Sequence, residues 1–408
     1  MFKMIGILFL ALAAAAGDAH AAGLRGDAPE NSRLLKLVVL SRHGVRSPTQ
    51  SPEELARWAS RPWPQWPVGK GELTARGGEL LTIQWREMRR ILAEEGLLPA
   101  QGCPGPEDVL CVADAEQRTR ESAAAILKGL VPECGLSAAS DPTQVTPLFH
   151  PVRARQASLD TQAVRAEMER VLAGLHVPHG ALELIQRVTG CCAPGLCDGS
   201  TRGCALADIP DTVGFNKGDV KLSGRLAMAS SLAEIFLLEY GQWPERNAGW
   251  GEVDAEALKT MLPVHNLVFD ALNRAPDVAA ARGGAMLRAI RSSLLEEPDA
   301  RVIIYAGHDT NIANTGGLLD LHWDIPEQGH NAIPPGGALL FTLWENASGR
   351  REIRASFLAP TLETLHASSP GGEPVILDAG LLCDGEPCTP EAFSLLTERA
   401  LEARENPS

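Results

Sequence analysis

The sequence predicts an α/β fold with a smaller, mainly helical domain, and three observations carry that expectation. Two apolar runs bounded by turn signals, residues 34–40 and 302–305, read as strands buried on both faces. Between them runs helical periodicity: Val164, Met168, Val171 and Leu175 share one face, and Met286, Ile290 and Leu294 share another. Strands separated by helices point to a sheet with helices packed against it. Residues 151–260 hold no convincing strand, which marks them as a helical domain set between residues 22–150 and 261–408 of a discontinuous α/β domain.

The elements follow in chain order. Lys3 precedes an apolar run over residues 4–16, too short to span a bilayer, and Ala19-His20-Ala21 is a small-x-small cleavage pattern. Residues 1–21 therefore read as a signal peptide, cut after Ala21 or Ala22, that exports a soluble mature chain with no stable membrane association. Residues 109–112 form a third strand, Ser223 is the expected N-cap of a helix running to about residue 240, and residues 338–344 and 352–358 are late strands.

A chain of 408 residues, 45% hydrophobic and 22% charged, has the length for two domains and a sizeable core. Disorder and collagen-like repeats are excluded. Lys and Arg total 37 against 51 for Asp and Glu, a formal charge of −14, so the surface repels polyanions and nucleic acid is excluded as a partner. An anionic small molecule would need a local cluster of cations.

The nine cysteines are Cys103, Cys111, Cys134, Cys191, Cys192, Cys197, Cys204, Cys383 and Cys388, an odd number that leaves at least one thiol without a partner in the chain. Cys111 is the expected spare, because it sits in a buried strand where a thiol behaves as a small hydrophobe. Cys103 and Cys134 flank a strand-helix unit, while Cys383 and Cys388 bracket a turn-rich segment. The group at 191–204 lacks paired C-x-x-C spacing, and an oxidising compartment favours bridges over zinc there.

Chemistry concentrates where strands end. Residues 34–40 run into Ser41-Arg42-His43-Gly44-Val45-Arg46-Ser47-Pro48-Thr49, which places two guanidiniums and an imidazole past a carboxyl end, the usual ligand edge of an α/β sheet. Arginine offers planar forked donors matched to phosphoryl oxygens, and like charge on both sides lowers the proton affinity of the histidine between them. Gly44 omits a side chain where something approaches closely. Residues 109–112 lead to Asp114, Arg118 and Thr119, and residues 302–305 lead to Gly307-His308-Asp309-Thr310-Asn311 at a helix start, where backbone amides add anion donors. Any one of these groups alone reads as a solvated arginine or an N-cap carboxylate; three together read as a phosphate site.

These same residues carry a family resemblance. Arg42-His43-Gly44-Val45-Arg46-Ser47-Pro48, Arg118-Thr119-Arg120 and Gly307-His308-Asp309-Thr310 resemble the histidine acid phosphatases, specifically the bacterial periplasmic branch that contains the 4-phytases. Trp63-Pro64-Gln65-Trp66-Pro67-Val68, Leu73-Thr74-Ala75-Arg76-Gly77-Gly78-Glu79-Leu80, Glu234-Ile235-Phe236-Leu237-Leu238 and Pro334-Pro335-Gly336-Gly337 are similar to segments of that branch in the same order.

The resemblance implies a large α/β domain with a central mixed sheet, a smaller helical domain and an active site in the cleft between them. It implies that His43 is the nucleophile and Asp309 the proton donor, that Arg42, Arg46, Arg118 and His308 hold the phosphoryl oxygens, and that Thr49, Asp114, Glu234 and Thr310 surround the substrate. Bridges Cys103–Cys134 and Cys383–Cys388, and at least one more within 191–204, are implied too. The expected partner is a small-molecule phosphomonoester, and neither metal nor organic cofactor is expected, because three arginines and His308 supply the charge that other phosphatases take from metal ions.

Two positions bear on substrate. Gln50 stands where phytases of this branch often present lysine, which implies a weaker grip on a highly charged ester, whereas Thr310 after Asp309 resembles the phytases rather than the glucose-1-phosphatases, which typically carry serine there. Lys70, Arg153, Arg202 and Lys217 read as solvated surface charges, and His265 as a packed helical histidine.

Overall fold

The structure, a computed structural model, describes residues 23–26, 28, 31–190, 206–296, 299–369 and 371–402. The expected signal peptide, the bridge expected among Cys191, Cys192, Cys197 and Cys204, and Arg202 lie outside them.

Ten strands are described: β1 (Arg33–Arg42), β2 (Val109–Ala113), β3 (Thr212–Asn216), β4 (Asp219–Ser223), β5 (Val302–Gly307), β6 (Asp324–Ile325), β7 (Gly329–His330), β8 (Ala338–Glu345), β9 (Arg351–Ala359) and β10 (Val375–Asp378). The helices are α1 (Pro52–Ala56), α2 (Ala75–Glu94), α3 (Gln117–Leu130), α4 (Thr161–Gly174), α5 (His179–Thr189), α6 (Arg225–Gln242), α7 (Ala255–Asn273), α8 (Pro276–Leu295), α9 (Asp309–Leu318), α10 (Leu362–His366) and α11 (Pro390–Glu402). Six strands form the central sheet in the order β10-β9-β8-β1-β5-β2. It is mixed: β5 pairs in parallel with β1 and β2, while β8, β9 and β10 continue antiparallel from the other edge of β1.

The unbroken apolar run of β1 follows from its place in the middle. Leu37 and Val39 point into one core with Trp85 and Met88 of α2 and Ile126 of α3. Val38 and Leu40 point into the opposite core with Met286 and Ile290 of α8, Ile312 of α9 and Phe393 of α11. A strand covered on both faces gains nothing from alternating polarity. The edge strand β2 differs: Val109, Cys111 and Ala113 are buried, but Leu110 is exposed. Cys111 is a free thiol, pushed up to about 12 by burial, and Cys103–Cys134 and Cys383–Cys388 are bridged.

Two expectations for the middle of the chain are corrected. Residues 151–260 do contain strands, because β3 and β4 pair as an antiparallel hairpin. Its two-residue loop, Lys217-Gly218, has positive φ at both positions (51° and 83°), the geometry that favours Asn-Gly or Asp-Gly, and a lysine in the first place hid the signal. Ser223 closes β4 instead of capping a helix; the cap is Gly224, at φ 112°, where an added Cβ would come 2.3 Å from the Pro210 carbonyl. The helical core also runs past residue 260. It takes Met261, Leu262, Val264 and Val268 from the single helix α7 and Val278 from α8, together with Val45 and Leu80 from the α/β part. No described helix is long and apolar enough to cross a membrane.

Candidate active site

Parallel pairing brings three strand ends to one edge. Arg42 is in register with Gly307, and Ala113 with Ala306, so the residues that follow β1, β5 and β2 are neighbours. The His43 amide donates to the Gly307 carbonyl (3.1 Å) and the Asp114 amide to the Ala306 carbonyl (3.1 Å), which extends the sheet bonding into the site. Gly44 is needed for a reason other than substrate approach. An added Cβ there would meet the Gly77 carbonyl at 2.8 Å and Leu81 at 2.9 Å, so the missing side chain admits the backbone of α2.

His43 is buried and edge-on to His308, ring centroids 5.8 Å apart. Its Nδ1 lies 2.9 Å from the Gly44 carbonyl. That acceptor fixes the proton on Nδ1 and leaves the Nε2 lone pair free. Burial, then Arg46, Arg42, Arg118 and His308, hold the proton affinity of this imidazole well below its ordinary value, so the ring is neutral.

Arg42 and Arg46 are buried beside it. Arg42 donates to Glu234 and to the Ile333 carbonyl, and its Nη2 lies 3.0 Å from Asp309 Oδ2; Arg46 Nη2 lies 3.6 Å from Glu234 and its Nη1 donates to the Ser47 carbonyl (2.9 Å). Burial would lower Arg42, but Glu234 and Asp309 outweigh it and raise it above the usual guanidinium range. Arg46, with more burial than compensation, falls to about 10 and stays charged at neutral pH. Arg118 reaches from α3 towards His308, Nη2 to Nδ1 3.5 Å. The buried Nε of all three guanidiniums has no acceptor among the described residues. Oxygen-rich anions satisfy such donors.

Four further expected residues divide by depth. Glu234 sits beneath the arginines rather than lining open space: burial disfavours its charge, but Arg42, His265 and Arg46 prevail and hold it ionised. Asp114 is fully buried and its Oδ2 accepts from His308 Nε2 (2.8 Å) and His150 Nε2 (2.9 Å). Burial opposes that carboxylate as well, yet the two imidazoles keep it well below its usual range. Thr49 is exposed at the rim, across from Gly71. Thr310 is half-buried in a cavity shared with His150, Arg153, Asp219 and Arg282, and its amide donates to Asp309 Oδ1 (2.8 Å).

Asp309 is the residue whose state departs from expectation. A proton donor should hold its proton, but here Arg42, Arg46, His308 and the Thr310 amide overcome the effect of burial and lower its proton affinity. The carboxylate is an ion-pair partner in this state.

Sequence reasoning missed His150 and underrated His265. His150 stands in no motif; it reaches Asp114 because Phe149 anchors its loop to the end of β5, with the Phe149 carbonyl accepting from Asn311 Nδ2 (2.8 Å). His265 is helical as expected, yet its Nε2 lies 3.6 Å from Glu234. Asp114, His150 and His308 present ligand atoms within 4.8 Å of one another, a spacing that could hold a metal ion. The surroundings do not fit one. Arg118 already brings a cation to within 3.5 Å of the His308 ring, and one carboxylate shared by two imidazoles does not offset a further divalent charge.

The chain as a whole is similar to known proteins. Residues 33–169 and 238–357 match the model of the histidine phosphatase superfamily (branch 2). The phytase AppA of Escherichia coli (strain K12) is 34% identical over 362 residues, 83% of each chain, and the glucose-1-phosphatase of Salmonella typhimurium is 29% identical over 335 residues, 80% of each. The Hafnia alvei phytase structure superposes with a TM-score of 0.83 at 32% identity, covering 93% of this chain and all of that one. The chain therefore belongs to branch 2 of the histidine phosphatase superfamily and is an acid phosphatase of that family.

Proposed function

We propose that the protein hydrolyses phosphomonoesters in two displacements through a phosphohistidine on His43 Nε2, and that inositol polyphosphates are among its substrates. The observation that carries this reading is the state of His43: neutral, with Nδ1 committed to the Gly44 carbonyl, amid three guanidiniums. Phosphoryl transfer needs an in-line nucleophile, neutralised equatorial oxygens and a proton for the leaving oxygen. His43 supplies the first, Arg42, Arg46, Arg118 and His308 the second, and Asp309 the third. Nε2 attacks phosphorus, the ester oxygen leaves with the Asp309 proton, and water then attacks the phosphohistidine as Asp309 takes a proton back.

The ionised Asp309 is compatible with this cycle. A bound phosphate group brings negative charge that offsets Arg42 and Arg46, so the carboxylate loses the cations that hold it ionised and its proton affinity rises. Acidic solution favours the same state.

The inositol phosphate reading draws on Thr310 and on the relatives. A Hafnia alvei phytase, 32% identical with a TM-score of 0.82, is known in complex with myo-inositol hexakis sulphate. Gln50 favours a second reading, a glucose-1-phosphatase-like enzyme with little activity on phytate, because no lysine stands there to hold distal phosphates. The two bridges fit an exported protein whose residues 1–21 are a cleaved signal, with a smaller helical domain that begins near residue 151 and runs on through α7.

Phosphate release by the mature chain from phytate and from glucose 1-phosphate, across acidic to neutral pH and with and without chelator, tests all of this. His43→Ala should lose nearly all turnover on both esters. Equal release by variant and wild type would end the nucleophile assignment, and loss of activity with chelator would end the metal-free mechanism.

A further inference from the structure

Asp114 Oδ2 is shared. His308 Nε2 approaches it at 2.8 Å and His150 Nε2 at 2.9 Å, with the two rings 5.0 Å apart, and Asp114 Oδ1 has no partner among the described residues. One carboxylate thus serves two imidazoles on different elements. We propose that His150 is a positioning residue which, by competing with His308 for Asp114, sets the pH at which the phosphate pocket loses its His308 donor.

The two nitrogens of His308 are not equivalent towards a phosphate. His308 commits Nε2–H to Asp114, so its Nδ1, on the side of Arg118, carries a bare lone pair when the ring is neutral. A lone pair repels a phosphoryl oxygen; only the imidazolium has an Nδ1–H to give. Asp114 supports that imidazolium, while burial, Arg118 and a protonated His150 oppose it. Asp309 also faces His308, with the His43 ring edge-on to it. The charges facing His150 are Arg153 on its own loop, Asp219 of β4 and Arg282 of α8, across a shared cavity; Asp219 and Arg282 pair with each other at 2.6 Å, and Arg153 lies 3.9 Å from Glu116. His150 is left as the competitor whose Nε2 donor bears directly on Asp114.

The inference deepens the proposed function, since it assumes that the pocket binds phosphate, and its test does not need turnover. Binding of inorganic phosphate is measured against pH for wild type, His150→Asn and His150→Phe, alongside kcat/KM for p-nitrophenyl phosphate. Both variants remove the competing cation, so the midpoint for losing phosphate should move up by about half a pH unit or more relative to wild type, with kcat at acidic pH little changed. Asp114→Asn should move it down. A uniform loss of affinity without movement of the midpoint, or movement down in the His150 variants, would overturn the proposal. If neither variant folds, NMR titration of the wild-type imidazoles decides: His150 and His308 should titrate as a coupled pair, and independent titrations would count against it. Wild type that binds phosphate yet turns over no ester would instead sink the function proposed above.

Discussion

Arg42 Nη2 lies 3.0 Å from Asp309 Oδ2, so the proposed proton donor is tied to a proposed phosphate ligand before any substrate arrives. Substrate and carboxylate compete for one guanidinium. The phosphoryl oxygens that take Arg42 also release Asp309 to gather a proton, which couples binding to the protonation that the first displacement requires.

Asp309→Asn keeps the shape and removes the proton. Turnover of alkyl phosphates, whose leaving oxygen needs that proton, should fall by about a hundredfold or more, while p-nitrophenyl phosphate, whose leaving group departs as an anion, should lose far less. Parallel kcat measurements on the two ester types check this; equal losses would argue against the donor role.

Glu234 offsets the charge of Arg42 and Arg46 from below. Glu234→Gln leaves two buried guanidiniums underpaired and should cost about 3 kcal/mol of stability in phosphate-free buffer. Inorganic phosphate supplies the missing charge, so its addition should raise Tm more in the variant than in wild type. Calorimetry with and without phosphate reads the difference, and equal gains would show that Glu234 does not balance these cations.

Glu239 is buried in α6 and its carboxyl is pushed up to about 7, chiefly by burial, against the Gly249 amide that donates to Oε2 at 2.9 Å. Between about pH 4.5 and 7 the folded chain holds a proton there that the unfolded chain has lost, so this contribution is intact at acidic pH and disappears as pH rises through about 7. Glu239→Gln keeps an acceptor for Gly249 and removes the titration. Relative to wild type it should gain up to about 3 kcal/mol above pH 7 and nothing near pH 4. Denaturant melts at the two pH values test the sign.

Cys103–Cys134 closes a loop of separation 31 around β2 and α3, the elements that deliver Asp114 and Arg118. Its removal by the paired Cys→Ser change should cost about 3–4 kcal/mol through the gain in unfolded-chain entropy. Phosphate binding by whatever remains folded should be little changed, as measured by titration at low temperature. A large affinity loss there would mean that the bridge shapes the pocket directly.

Much of the site was legible because its members sit directly after strands. Arg42 ends β1; His43, Asp114, His308 and Asp309 follow β1, β2 and β5, and the apolar runs that mark those strands need no partner to be recognised. His150 was not legible: its loop has no periodicity, and only the docking of Phe149 against β5 brings the ring to Asp114. The β3–β4 hairpin escaped because its strands are short and Lys217 hides the turn.

The linear chain by itself determined the kinds of chemistry available: cations and an imidazole at one sheet edge, a carboxylate at the start of α9, and an acidic surface around them. Local pattern suffices for that, since strand ends and helix starts are set within a few residues. The tertiary structure alone decided the protonation states and partnerships. Whether Asp309 is charged, whether Glu234 meets substrate or holds the arginines, and whether His308 owns Asp114 or shares it all depend on burial and on distances of about 3 Å between residues far apart in the chain.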